Sequence, residues 1–316
     1  MTVEQLGQVS NYCVASATGL LALAFVAYVA QWAFARSVPA DRDLVMAGGA
    51  PDTAGTATDT VDLPDTSDIS GSIGFSLTAL ATVVLLTGVV LRGLAAERVP
   101  WGNMYEFGCI AILFAMVAYL GLERVWDIDW VGPIITGFGT VVLGSTMLFV
   151  YVPPGPLVPA LDSYWLVIHV LGAIISGAAF LVGAAASILY LIKARAERLT
   201  PEGERTGFLW RIPASPVIDQ VAYRVHAFAF PIWTFAALIA GPIWAQAAWG
   251  RYWGWDAKEV WAFITWVFYA AYLHARATAG WRGKAAAILA LAAFATFVFN
   301  FVGVNLFVGG LHSYAK

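Results

Sequence analysis

Tyr164–Ile192 reads YWLVIHVLGAIISGAAFLVGAAASILYLI, a 29-residue run whose only ionisable groups besides Tyr164 and Tyr190 belong to His169. About 20 consecutive apolar residues cross the hydrocarbon core of a bilayer as a helix, which pairs every backbone N–H and C=O within the segment. An amphipathic soluble helix would confine its apolar residues to one stripe; this run is apolar all round. Working outward, comparable blocks lie at about 12–34, 74–91, 107–122, 132–152, 226–245, 260–275 and 285–308. The sequence therefore predicts an all-α, polytopic membrane bundle of about eight transmembrane helices. Composition agrees: 60% of residues are hydrophobic and 12% charged, against roughly 25% charged in soluble domains. A net charge of −3 gives no reason to expect a nucleic-acid partner. The flank before the first block lacks the basic residues of a signal peptide, so that block is expected to remain as a span. Cys13 and Cys109 sit in apolar blocks outside any CxxC pair, which argues against a thiol–disulfide carrier.

The chain divides into N-terminal spans, 1–99, and a membrane core, 100–316. Segment 37–72 carries seven aspartates among Ala, Gly, Thr and Pro and is expected to be a disordered acidic loop. Cytoplasmic loops concentrate Lys and Arg. Loops 35–73, 123–131, 193–225 and 276–284 hold 12 of the 17 basic residues. Both termini and loops 92–106, 153–163 and 246–259 are therefore expected on the extracytoplasmic side of a plasma-membrane protein. On that topology His169 and His312 form an outer pair, and His226 and His274 an inner pair. Imidazole is a usual ligand of heme iron, and ionisable residues inside a membrane protein are functional candidates by default.

Residues 244–266 read WAQAAWGRYWGWDAKEVWAFITW, with six tryptophans in 23 residues. An interfacial aromatic belt explains aromatic residues near the boundary. It does not require them packed into one loop with Asp256, Lys258 and Glu259. A flat aromatic ligand with anionic groups suits such a surface. Trp249, Trp253, Trp255 and Asp256 are the candidate contacts, with Arg251 and Lys258 as candidate partners for carboxylates and Gly250 and Gly254 allowing close backbone approach. Trp101–Glu106 is read as a helix cap and interface anchor or a lining of the site, and Asn300 and Asn305 as interhelical hydrogen-bonding groups.

The run Trp249-Gly-Arg-Tyr-Trp-Gly-Trp-Asp-Ala-Lys-Glu-Val-Trp261, with Trp165–Val170, Tyr272–Arg276, Gly303–Leu306 and Gly310–Tyr314, resembles the WWD-motif heme-handling family of System II cytochrome c biogenesis, the CcsA/ResC proteins, including actinobacterial members often called CcsB. The resemblance covers about residues 100–316; Ala257 stands where the family usually has Pro. It implies heme b as the bound group, with His169 and His312 as axial ligands at the outer WWD loop. It also implies a second iron-ligand position at His274, completed by His226 or by another polypeptide. The implied partners are a ResB-type membrane protein and the CxxCH segment of apocytochrome c, in a membrane lipid setting. Three other readings stay open on the residues alone: a respiratory heme b electron relay, a heme exporter without attachment activity, and a lipid or polyprenyl-phosphate transporter.

Overall fold

The computed structural model describes residues 1–34, 66–126, 128–155, 163–278 and 280–311. Its eight helices are α1 (Val3–Phe34), α2 (Thr66–Ala96), α3 (Met104–Trp126), α4 (Gly132–Phe149), α5 (Tyr164–Leu199), α6 (Ser215–Trp249), α7 (Ala257–Thr278) and α8 (Lys284–Phe307). No strand occurs among the described residues. All except α7 are long and apolar enough to cross a membrane. α7 is 22 residues long but carries Lys258, Glu259 and Arg276 near its ends. Of the acidic loop expected over 37–72, residues 66–72 instead form the first turns of α2, where Asp68 sits near the helix N-terminus. That placement complements the helix dipole. The remainder of the expected loop, 37–65, lies outside the described residues.

Contacts between distant residues fix the helices as an up-and-down bundle with two ends. At one end Ser10 Oγ donates to the Gly88 carbonyl at 2.7 Å, Arg92 meets Glu106, and Asn305 reaches Met104. At the other, Gln31 donates to Asp129, Trp32 stacks on Phe208, and the Ser215 hydroxyl donates to Glu197. The loop between α6 and α7 belongs to the first end, where Gly310 approaches Asp256.

One hydrophobic core runs from Val14 on α1 to Ala293 on α8. In its first half, Tyr119 donates to Tyr28 at 2.8 Å, and Gly74 and Gly132 pack directly on the Tyr28 ring. In its second, Phe180 stacks on Tyr269 at 3.7 Å, while Ala286, Ala290 and Ala293 present a small-residue face that lets α8 approach closely. Small residues are the usual means of close helix packing in a bilayer, where lipid removes the hydrophobic incentive to associate. Large apolar side chains such as Leu23, Val83, Leu86 and Val90 cover the outside, as expected of a surface solvated by hydrocarbon.

Two helices are irregular. α6 contains a π turn at Ala236–Ala240, between Pro231 and Pro242, and α8 one at Phe299–Gly303. A π turn inserts one residue into the helical ladder and re-aims the side chains beside it.

Candidate functional site: an aromatic cavity at the tryptophan loop

A cavity of about 480 Å³ opens at the tryptophan-loop end between α3, α4, α5, α6, α7 and α8. That volume lies within the range of small-molecule and cofactor pockets. Its walls are predominantly apolar, and both π turns border it through Ala237 and through Asn300–Val302. His169, Trp249, Trp253 and Lys258 all line it.

His169 is held on two sides. Its Nδ1 lies 2.8 Å from the Ala236 carbonyl, and its ring stacks on Trp244, with centroids 5.9 Å apart and planes 13° from parallel. A carbonyl can only accept, so Nδ1 carries the proton and Nε2 is the ring's basic nitrogen. Gly241 makes the arrangement possible: a Cβ there would lie 3.1 Å from the imidazole. Trp249 packs edge-on against Trp244 at 4.8 Å, extending the aromatic wall toward the loop.

The loop itself is shorter than the expected 246–259. Gly250 adopts a left-handed φ of +72° and donates its N–H to Gln246, ending α6 at Trp249. This is a glycine C-cap; the conformation terminates the helix rather than admitting a ligand. At the far side Asp256 caps α7. Its Oδ1 accepts from the Glu259 N–H at 3.0 Å, while Glu259 Oε2 accepts from the N–H groups of Asp256 and Gly254 at 3.1 and 2.8 Å. This reciprocal capping box assigns Asp256 a structural task, and it lies outside the cavity lining. Asn103 and Glu106 repeat one half of the device at α3, where Asn103 Oδ1 accepts from the Glu106 N–H. The Glu106 carboxylate, fully buried, pairs with both Arg92 and Arg98.

Trp255 occupies a left-handed φ of +58° and is 69% exposed, edge-on to Trp253. A bulky residue is rare there. Arg251 is also exposed, its guanidinium folded over Gly254, where a Cβ would come 2.5 Å from Cζ. Gly254 thus makes room for Arg251. Neither Arg251 nor Trp255 lines the cavity.

The inner histidines are not brought together. His226 is 0% exposed, enclosed by Phe180, Tyr269, Tyr272 and the backbone of Gly183. His274 is exposed on α7, while Tyr272, two residues earlier, is buried against His226. Two positions along a helix turn the side chain by about 200°, which accounts for the opposite facing. The second iron-ligand position is therefore not assembled from His226 and His274 within this chain's described residues. His312 lies outside the described residues.

Residues not expected at the site complete it. Trp233 and Trp244 line the cavity from α6. Asn305 is the interhelical residue anticipated, its amide donating to Met104 Sδ and to the Phe301 carbonyl. Asn300 is different: it is 5% exposed, lines the cavity, and its Oδ1 has no partner. Lys258 Nζ donates to the Asn300 carbonyl at 3.0 Å and sits 5.6 Å over the Phe301 ring. An asparagine inside an apolar block was the available signal for this wall.

Comparison with known proteins agrees with this architecture. The family described as Cytochrome C assembly protein matches residues 75–312. The chain is 36% identical over 262 residues to a cytochrome c biogenesis protein CcsA of Synechococcus sp. (strain CC9902), covering 75% of this chain and 85% of that one. It is 33% identical over 257 residues to the CcsA of Guillardia theta, covering 77% and 85%. Among solved structures, cytochrome c heme lyase CcmF superposes with a TM-score of 0.62 at 17% identity. The superposition covers 98% of this chain and 50% of CcmF, a likeness of fold.

Proposed function

The chain belongs to the cytochrome c assembly protein family, and on that premise we propose that it holds heme b in the cavity at the tryptophan loop and presents it for covalent attachment to apocytochrome c. The observation that carries this reading is the His169 imidazole, oriented by the Ala236 carbonyl on one side and by Trp244 on its face. Metal-ligating histidines typically donate their second nitrogen to such an acceptor, which fixes the tautomer and the ring plane. A flat porphyrin also suits walls of Trp249, Trp253 and Trp244, and a cavity whose few polar groups are confined to named positions.

His312 is proposed as the second axial ligand. The chain approaches it along Gly310, which lies against Asp256 of the loop. The excess of Lys and Arg in loops at the opposite end supports an extracytoplasmic site. The chemistry of attachment resides in the heme's vinyl groups: each thiol of a CxxCH segment adds its S–H across one C=C, forming a C–S and a C–H bond. The protein's part is to position the porphyrin edge and exclude competing reactions. A ResB-type membrane protein is the expected partner. His274 stands exposed on α7, so a second ligand to iron there would come from such a neighbour.

The test is heme content. Wild-type protein and the His169→Ala/His312→Ala double variant are purified with the ResB-type partner, and bound heme is quantified from reduced absorption spectra. Cells carrying each are scored for mature cytochrome c. Loss of heme and of maturation in the variant supports the reading; unchanged heme and maturation overturn it.

A further inference from the structure

Lys258 of α7 and Asn300 of the α8 π turn both line the cavity, and neither is explained by packing alone. Lys258 is an amine whose one hydrogen bond among the described residues is to a neutral backbone carbonyl, that of Asn300. No carboxylate among the described residues lies within ion-pair distance of its Nζ. Of its two acidic neighbours in the loop, Glu259 Oε2 accepts backbone N–H groups of the capping box, and Asp256, whose Oδ1 accepts the Glu259 N–H, acts on Lys258 through space without a direct ion pair. Cations removed from water are normally paired. Beside it, the Asn300 side chain is nineteen-twentieths buried with an unpartnered Oδ1. A buried polar atom left unpaired costs about 1–3 kcal/mol unless something completes it. Rotation of the amide about its last torsion exchanges Oδ1 and Nδ2, so the same position can present an N–H donor.

An amine and an amide donor on the same otherwise apolar wall are complementary to a carboxylate. We propose that Lys258 and Asn300 form the anchor for a carboxylate of the cavity's ligand, which under the heme reading is a porphyrin propionate. The inference rests on that reading and goes beyond it in assigning the orientation of the porphyrin: the propionate edge toward the α7–α8 corner, and the vinyl edge away from it. Arg251, the other basic residue of the loop, is exposed and folded over Gly254, and has no part in the anchor. The π turn at Phe299–Gly303 carries Asn300 into the cavity lining, where its carbonyl accepts from Lys258.

The experiment compares two porphyrins on the full-length protein in detergent: heme b, and the same heme with both propionates converted to methyl esters. Affinities are measured by absorption titration for wild type, Lys258→Met, Asn300→Leu and His169→Ala. Wild type is expected to prefer the free acid by roughly tenfold or more, the scale of one charge-assisted hydrogen bond. Lys258→Met and Asn300→Leu are expected to erase that preference by weakening the acid while leaving the ester nearly unchanged. His169→Ala is expected to weaken both porphyrins alike and keep their ratio. Equal binding of acid and ester by wild type, or equal weakening of both by the two anchor variants, overturns the anchor and leaves the heme reading standing. Binding of neither porphyrin by wild type removes the heme reading, and the anchor falls with it.

Discussion

His169 and His226 lie toward opposite ends of the same helix pair and are built from the same parts. His169 of α5 lies over Gly241 of α6, and His226 of α6 lies against Gly183 of α5. Each helix supplies a glycine that admits the other's imidazole. The outcomes differ because the backbones differ. At His169, α6 opens into the π turn, so the Ala236 carbonyl meets Nδ1 and the ring borders a cavity. At His226 the helix is regular, and aromatic rings close over the imidazole so that it borders no cavity. A histidine on a glycine is therefore not a ligand site by itself. What sets His169 apart is a backbone irregularity that supplies both an orienting acceptor and empty volume.

The largest expected contrast is between the two histidines. His169→Ala is expected to remove most bound heme from the purified protein, read as the reduced absorption band per mole of chain. His226→Phe is expected to leave that band intact. The imidazole is closely packed against Gly183, so the larger phenyl ring is expected to cost roughly 1–3 kcal/mol of stability through overpacking while sparing the band. Comparable heme loss in both variants would break the comparison and make the buried site the principal one.

The glycines sharpen it further. Gly183→Ala would place Cβ 2.6 Å from a ring with no room to move, and is expected to cost roughly 1–3 kcal/mol in a denaturation experiment through overpacking. Gly241→Ala meets His169 at 3.1 Å, where the ring faces open volume and can tilt. Its expected effect is on function instead: a fall in heme affinity of about 10-fold or more, as for other changes that disorient a metal-binding histidine. If Gly241→Ala lowered stability and spared heme binding, the orienting role of the Ala236 contact would be refuted.

These differences trace the limits of what the sequence reveals. The spans were legible because their apolar blocks are long and lack period, so α1, α5 and α8 follow from composition alone. In the tryptophan loop the expected ligand roles of Gly250 and Asp256 give way to capping roles for one reason. Gly250, Asp256 and Glu259 have residue types that serve ligands and helix caps equally well, and only the hydrogen bonds distinguish the two. The N-x-x-E and D-x-x-E spacings at Asn103 and Asp256 were the available clue. The facing of the inner histidines depends on helical phase, which an all-round apolar helix does not display in its sequence. The π turns were least legible. A one-residue slip changes no composition; Pro231 and Pro242 bracket the one in α6, while the one in α8 contains only Asn300 as a sign.

A smaller effect is expected at the cap. Asp256→Ala removes the acceptor for the Glu259 N–H and is expected to cost about 0.5–2 kcal/mol of stability, with heme affinity nearly retained because Asp256 lies off the cavity wall. Heme loss without destabilisation would return Asp256 to the ligand contacts.

The smallest expected effect tests the second support of His169. Trp244 is buried and stacks on the imidazole, and Trp249 packs on its edge, so the indole limits tilting of the ring about the Nδ1 contact. Aromatic stacking contributes about 0.5–1.5 kcal/mol beyond the area it buries. Trp244→Leu keeps an apolar side chain in place and is expected to lower heme affinity by several-fold, chiefly through faster dissociation, because a less restrained imidazole holds iron less persistently. The Ala236 carbonyl persists in this variant, so the tautomer, and with it the position of the reduced absorption band, is expected to stay as in wild type. A shifted band, or a loss as large as in His169→Ala, would transfer the orienting role from the π-turn carbonyl to the indole, and the feature that separates His169 from His226 would then be an aromatic partner rather than a break in the helix.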